Sequence, residues 1–290
     1  MSLLTGFVSL LLSTSVWAAP TSGRNHGLEK AGLVQGTHDE VPVIGALNGI
    51  EIHDSCNSSQ VHQLTAGFAD AHELALNARD HLLNKGRDDP IYRRYFGDAS
   101  SAEVIGWYDR ILYANKTGVI FRCDDPDGQC AHEKTWAGHY RGSNATSETV
   151  ICDNSYLKRQ RLEQMCTQGY NVSGGNTNLF WASDLMHRLF HIPAVTEEAV
   201  GHYADEFDTS IELAKKNATV AVRNSDSLQY FALEVYAFDV AVPGEGCLGL
   251  EEEEKEEPKT EEPKKEELEK GDGKDGKECH FHADGSEHCT

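Results

Sequence analysis

Apolar residues recur at helical spacing from Gln60 to Leu83, with Val61, Leu64, Phe68, Ala71 and Ala75 on one stripe, which predicts a long amphipathic helix. His62, His72 and His81 fall on it singly and are read as surface or hydrogen-bonded histidines. Asp89-Pro90 restarts the chain, and Ser100 or Ser101 caps a second helix through Val104, Trp107, Ile111 and Leu112. The pattern then changes. Short β-branched runs at Gly118 to Cys123, His139-Tyr140 and Thr149 to Cys152 predict strands, with a turn over Asp124 to Gln129. Val43-Ile44 and Ile50 to Ile52 are further short extended pieces.

Trp181 to His191 is uninterrupted by breakers and ends before Pro193, so it reads as a helix that Thr177 or Asn178 can cap. Thr196 caps a following helix with Glu197 and Glu198 in its first turn and Val200, Tyr203, Phe207, Ile211 and Ala214 inward. Asp226 with Gln229 resembles a capping box that opens a last helix through Leu228, Phe231, Ala232, Val235 and Phe238. Pro243-Gly244 ends it, and the fold closes near Cys247. The expected class is α+β, a mainly helical domain over residues 43–250 with a small β-sheet.

The ends of the chain lack this periodicity. Leu3 to Leu12 is an apolar segment followed by Val16-Trp17-Ala18, the pattern of a signal peptide cleaved after residue 18. Residues 19–42 read as a flexible leader. Residues 251–278 are Glu, Lys and Pro-rich, then Gly, Asp and Lys-rich, a composition too polar to offset the entropy of ordering, so a disordered acidic linker is expected. Eight cysteines fit a disulfide framework in an oxidising compartment, Cys123 and Cys130 pairing across their turn or elsewhere. Asn-x-Ser/Thr sequons at Asn57, Asn115, Asn144, Asn171 and Asn217 fit a secreted glycoprotein. A net charge of −21 argues against nucleic acid and anionic membrane as partners.

His187 and His191 are four apart on a helix and project from one face, the geometry in which two imidazoles bind one Zn²⁺. Zinc peptidases of this spacing carry Glu after the first His as general base. Here the position is Arg188, which holds its proton at any working pH. The pattern keeps the metal site and discards the catalyst. His202 and Asp205 are the candidates to complete the protein shell, and spacing does not choose between them. The last twelve residues, 279–290, hold Cys279, His280, His282, His288 and Cys289 around an Asp284-Gly285 turn, a second candidate zinc motif. The two cysteines close the loop as a disulfide or ligate as thiolates.

These segments together resemble a family. HRLFH at His187 to His191, GHYADEF from Gly201, SDSLQYFALEVYAFD from Ser225 and CHFHADGSEHC from Cys279 closely resemble the fungal pH-regulated antigens and secreted zincophores, a related mould allergen among them. The chain is more distantly similar to deuterolysin-type aspzincin peptidases, departing from them at Arg188. The resemblance implies a zincin-like domain and a secreted, extracellular protein that can associate with the cell surface. It implies capture of Zn²⁺ and delivery to a plasma-membrane zinc importer of the ZIP class. Binding to host immune proteins is also described in the family, and oligomerisation is compatible with it. An active secreted metallopeptidase and an adhesin with structural zinc are the alternatives.

Overall fold

The structure, a computed structural model, describes residues 41–42, 49–249, 279–281 and 287–289. The expected signal peptide, the leader before Val41, the Val43-Ile44 piece, the acidic linker and His282 lie outside those residues. The described part is mainly helical with a small mixed sheet, the α+β class expected.

The long helix is α1, Ser58–Lys85. Asn57 accepts from the Ser59 and Gln60 amides while the Gln60 side chain accepts from the Asn57 amide, so three of the four orphan donors at its start are satisfied. Of its expected stripe, Leu64, Phe68, Ala71 and Ala75 have no exposed surface, while Val61 is half-buried. Two short helices follow, α2 (Pro90–Phe96, capped by Asp89) and α3 (Ser101–Tyr113, capped by Ser100). Of the three isolated histidines, His62 is exposed and His72 half-buried, while His81 is buried with its Nδ1 at 2.7 Å from Asp239.

The strands are β1 (Val41–Pro42), β2 (Ile50–Ile52), β3 (Val119–Arg122), β4 (Gly138–Tyr140) and β5 (Glu148–Ile151), with α4 (Gln129–His132) between β3 and β4. Their order is β1-β2-β3-β5-β4. β3 runs parallel to both β2 and β5, and β4 returns antiparallel to β5 with His139 opposite Val150. α5 (Asp153–Lys158) leaves β5 and leads to α6 (Trp181–Phe190), the helix that carries the His pair. Beyond it come α7 (Pro193–Thr196), α8 (Phe207–Lys216), α9 (Ala218–Ala221) and α10 (Ser225–Tyr236), which runs into a π-helical turn over Ala237–Ala241. A C-terminal hairpin, β6 (Cys279–Phe281) and β7 (Glu287–Cys289), continues the sheet beyond β4.

The core sits between the sheet and the helices. Phe68 of α1 meets Phe121 of β3 edge-on, centroids 4.9 Å apart, which seats α1 on the sheet. α6 crosses α1 at Gly67, where a Cβ would lie 2.9 Å from both Trp181 Cβ and Leu185 Cδ1. Glycine is needed there because the two backbones approach too closely for a side chain.

Among the described residues, three disulfides join Cys56 to Cys123, Cys130 to Cys152 and Cys166 to Cys247. Cys123 and Cys130 therefore pair elsewhere, not with each other across their turn. The last bridge ties the end of the domain to a loop 81 residues earlier. A Cys166→Ser/Cys247→Ser variant should lose about 2–5 kcal/mol of stability, visible as a lower urea midpoint with the other two bridges intact.

Candidate metal centre

Every residue of α6 is buried. It begins after Phe180 without a side-chain cap, so neither Thr177 nor Asn178 plays the capping role expected. In a helix start enclosed by the core those groups serve the interior. The Thr177 carbonyl accepts from the Ser183 hydroxyl, and Asn178 Oδ1 accepts from Gln229 Nε2 at 2.8 Å. The helix ends as expected before Pro193. Thr196 does not open a new helix; its hydroxyl donates to the Phe190 carbonyl at 2.6 Å, satisfying an acceptor left open at the end of α6.

His187 lies in the last turn of α6 and His191 is the residue just beyond it, still in helical backbone conformation (φ −93°, ψ −2°). Their rings consequently share a face, centroids 4.7 Å apart. His202 joins them, its ring 4.7 Å from His191 and 5.1 Å from His187. Ligand nitrogens of the three imidazoles all lie within 4.8 Å of one another, and the Nε2 atoms of His191 and His202 are 2.9 Å apart. Two nitrogens on one tetrahedral Zn²⁺ at about 2.0–2.1 Å each would stand about 3.3 Å apart, so the donor set fits this ion with little movement.

The segment that brings His202 here is not the helix expected. Residues 197–206 form an irregular loop, and α8 starts only at Phe207. Glu197, Glu198 and Glu206 all have positive φ (55°, 61° and 65°), which breaks the helix at both ends of the loop. Tyr203, expected inward, is exposed. Tertiary hydrogen bonds override the local propensity. Gly201 bridges to Asn224, with its amide on the Arg223 carbonyl at 3.0 Å and its carbonyl on the Ser225 amide at 2.9 Å. Asn224 Oδ1 accepts from the Tyr203 and Ala204 amides, and Asp226 Oδ2 from the Glu206 amide. The Asp226–Gln229 capping box expected is absent for the same reason: both side chains are fully buried and reach across to α6 and this loop.

The neighbours of the rings orient them. Gln229 Nε2 donates to Asn178 Oδ1 and to the Ser183 carbonyl, which turns Gln229 Oε1 toward His187 Nδ1 at 2.9 Å. The hydrogen-bond network thus assigns the proton to His187 Nδ1 and the lone pair to Nε2, as a metal-binding imidazole requires. His202 Nδ1 faces Ser225 Oγ at 3.3 Å and Asp205 Oδ1 at 3.4 Å, with Asp226 Oδ1 at 4.0 Å. His202 therefore turns Nε2 toward His191, while Asp205 stands behind it. The structure brings His187, His191 and His202 together and sets Asp205 beside the last of them. The strand positions of His280 and His288 lie opposite each other in the β6–β7 hairpin. Pattern reading misses Asn224 and takes Asn178, Asp226 and Gln229 only for helix caps. Their one signal is polar groups in buried segments.

Arg188 points elsewhere. Its Nε and Nη2 contact the Asp184 carboxylate at 2.9 and 3.2 Å, and Arg159 Nη2 reaches the same group at 3.0 Å, all three side chains buried. Nη1 lies against Gly138 of β4, where a Cβ would come within 2.6 Å. Burial pushes the Asp184 carboxyl up, but attraction to Arg159 and Arg188 outweighs it and holds the group below the usual carboxylate range. Its contribution to stability is therefore present above pH ~3.9 and lost as pH falls through the lower folded value. Acid unfolding of an Asp184→Asn variant should show a shallower pH dependence than the parent below pH 4.

A further group, Cys130, His139 and Cys152, also has metal-compatible spacing, but its two sulfurs are joined in a disulfide. Among the described residues no helix is long and apolar enough to cross a membrane.

Comparison with known proteins agrees with the motif. Residues 8–250 match the HRXXH family model, described as "Putative peptidase family". The chain is 55% identical over 205 residues to Major allergen Asp f 2 of Aspergillus fumigatus, covering 71% of this chain and 66% of the allergen, just under two thirds of its length. It is 52% identical over 243 residues to Antigen 1 of Emericella nidulans, covering 82% of this chain and 87% of that protein. With pH-regulated antigen PRA1 of Candida albicans the identity is 48%, covering 70% of this chain and 68% of the relative. A solved zinc peptidase from Grifola frondosa has a TM-score of 0.44 at 18% identity, covering 61% of this chain and 96% of its own.

Proposed function

This chain belongs to the HRXXH family, and from that premise we propose a secreted protein that binds Zn²⁺ as cargo and does not hydrolyse peptides with it. One observation carries the reading: three imidazoles converge while the side chain after the first of them is a guanidinium bound to Asp184. His187, His191 and His202 would hold the ion, with Gln229 and Asp205 orienting two of the rings. A group that takes a proton from metal-bound water must be basic near neutral pH, and Arg188 is not. The carboxylate of Glu197, the nearest substitute in sequence, accepts from Arg110 Nη2 in an ion pair at 2.6 Å.

Antigen and allergen relatives support an extracellular setting. The domain organisation proposed is signal peptide 1–18, leader 19–42, metal-binding domain 43–250, acidic linker 251–278 and tail motif 279–290, with Val41–Pro42 at the end of the leader pairing with β2. His280, His282 and His288 would supply a second zinc site in that tail. Delivery to a plasma-membrane zinc importer is the role the family resemblance suggests for captured zinc. Imidazoles bind metal only when neutral, so zinc should be released as the medium acidifies.

The name of the family favours one other reading, an active peptidase. The two separate in one experiment. Purified full-length protein is titrated with Zn²⁺ by calorimetry and incubated with casein, with and without chelator. Tight zinc uptake without casein cleavage supports the cargo reading, and chelator-sensitive cleavage overturns it. Within that titration, Gln229→Leu should weaken the domain site about 10–100-fold, the usual cost of losing a partner that orients a ligating histidine.

A further inference from the structure

β4 would be the last strand of the sheet if the C-terminal hairpin were elsewhere. A bare sheet edge presents unpaired amides and carbonyls, and proteins cover such edges. The hairpin has the complementary problem. Two strands of three residues are marginal alone in water.

We propose that the outer edge of β4 is a docking edge and that its resident occupant is this chain's own C-terminal strand, Cys279–Phe281. The strand Cys279–Phe281 is then held on the domain by backbone pairing.

Three observations carry this. The register is defined: β6 runs parallel to β4 with His280 opposite Gly138 and Phe281 opposite His139. The hairpin is closed on its far side by β7, with Cys279 opposite Cys289 and His280 opposite His288. The peptide planes of β4 turn toward β6 the groups that β5 does not use. The Ala137 carbonyl accepts from the Cys152 amide at 3.0 Å and the Arg141 amide donates to the Glu148 carbonyl at 3.2 Å, both on the β5 side. In a trans peptide the N–H and C=O of one plane point opposite ways. The Gly138 amide and Tyr140 carbonyl therefore face β6. By the alternation along a strand the Tyr140 amide does too.

The linker does not oppose docking. Residues 250–278 can span at most about 100 Å fully extended, and a tethered segment meets its site at an effective concentration that can reach about millimolar.

The location gives the contact its meaning. Gly138 lies over the Arg188 guanidinium, and Arg188 follows His187 in α6. The tail strand thus docks on the strand that packs against Arg188 of the metal helix. An extended peptide from another protein could add to β4 only after the tail leaves. The inference rests on backbone pairing and stands or falls independently of zinc binding.

The test is residue-resolved amide hydrogen exchange on the full chain, compared with full-length Phe281→Pro, which removes an N–H from β6. The Gly138 and Tyr140 amides should exchange at least about tenfold faster in the variant. The Arg141 amide, bonded to β5, should not change and reports that the domain remains folded. Equal exchange at Tyr140 in both proteins overturns the proposal. So does protection at Tyr140 that fades when the wild type is diluted, because the occupant would then be a neighbour's tail.

Discussion

Replacing His187 and His191 together by alanine is expected to remove zinc binding from the folded domain, weakening it on the order of a thousandfold or more. The scale follows from what lesser losses cost: deleting only an outer partner of a ligating imidazole lowers affinity about 10–100-fold. Here two of three donors go, and His202 alone cannot hold the ion against water. The change should be clean. Both rings lie at the end of α6, and alanine is a good helix former. Calorimetric titration of a protein that also lacks the tail histidines isolates the domain site. A variant that retains the affinity of its parent would remove these residues from the binding reaction.

The second large effect is at Arg188. Changing it to Glu writes the sequence of a zinc peptidase motif, yet no peptidase should result. The side chain would enter a buried space shared by the Asp184 carboxylate, which now has both Arg188 and Arg159 as partners. Removing one partner of a buried ion pair costs about 3–5 kcal/mol, and the added like charge increases the cost. Arg188→Glu should therefore lower the midpoint of thermal unfolding sharply and leave casein uncut. Arg188→Lys keeps the charge but loses the two-pronged contact, and should fall between the two. An Arg188→Glu protein of undiminished stability would contradict the structural role assigned to the guanidinium.

The sequence was most informative where one local rule governed. The Asp89-Pro90 start, the Ser100 cap and the Leu64–Phe68–Ala71–Ala75 stripe are local, and each element formed as its pattern predicts. The His187–His191 pair was legible for the same reason. His202 was legible only as a candidate, because its position depends on Asn224 and Asp226, more than twenty residues further on, which hold the loop by its amides. Asp226 looked like ordinary helix-start chemistry and Gln229 like the other half of its capping box, while Asn224 carried no local signal. Burial changes what such side chains do. A polar group enclosed by the core must bond to whatever the fold brings near, and here that is the loop and the first histidine. The proposed division of roles, His202 as ligand and Asp205 behind it, was likewise invisible to spacing. It turns on which ring nitrogen of His202 faces His191, a matter of three dimensions.

The central claim is that His187, His191 and His202 converge on one Zn²⁺. Its most direct test is an anomalous-difference map at the zinc edge, from crystals of full-length protein grown with stoichiometric zinc. The account predicts a strong peak within coordination distance of Nε2 of all three histidines. A map without density between those rings would contradict it.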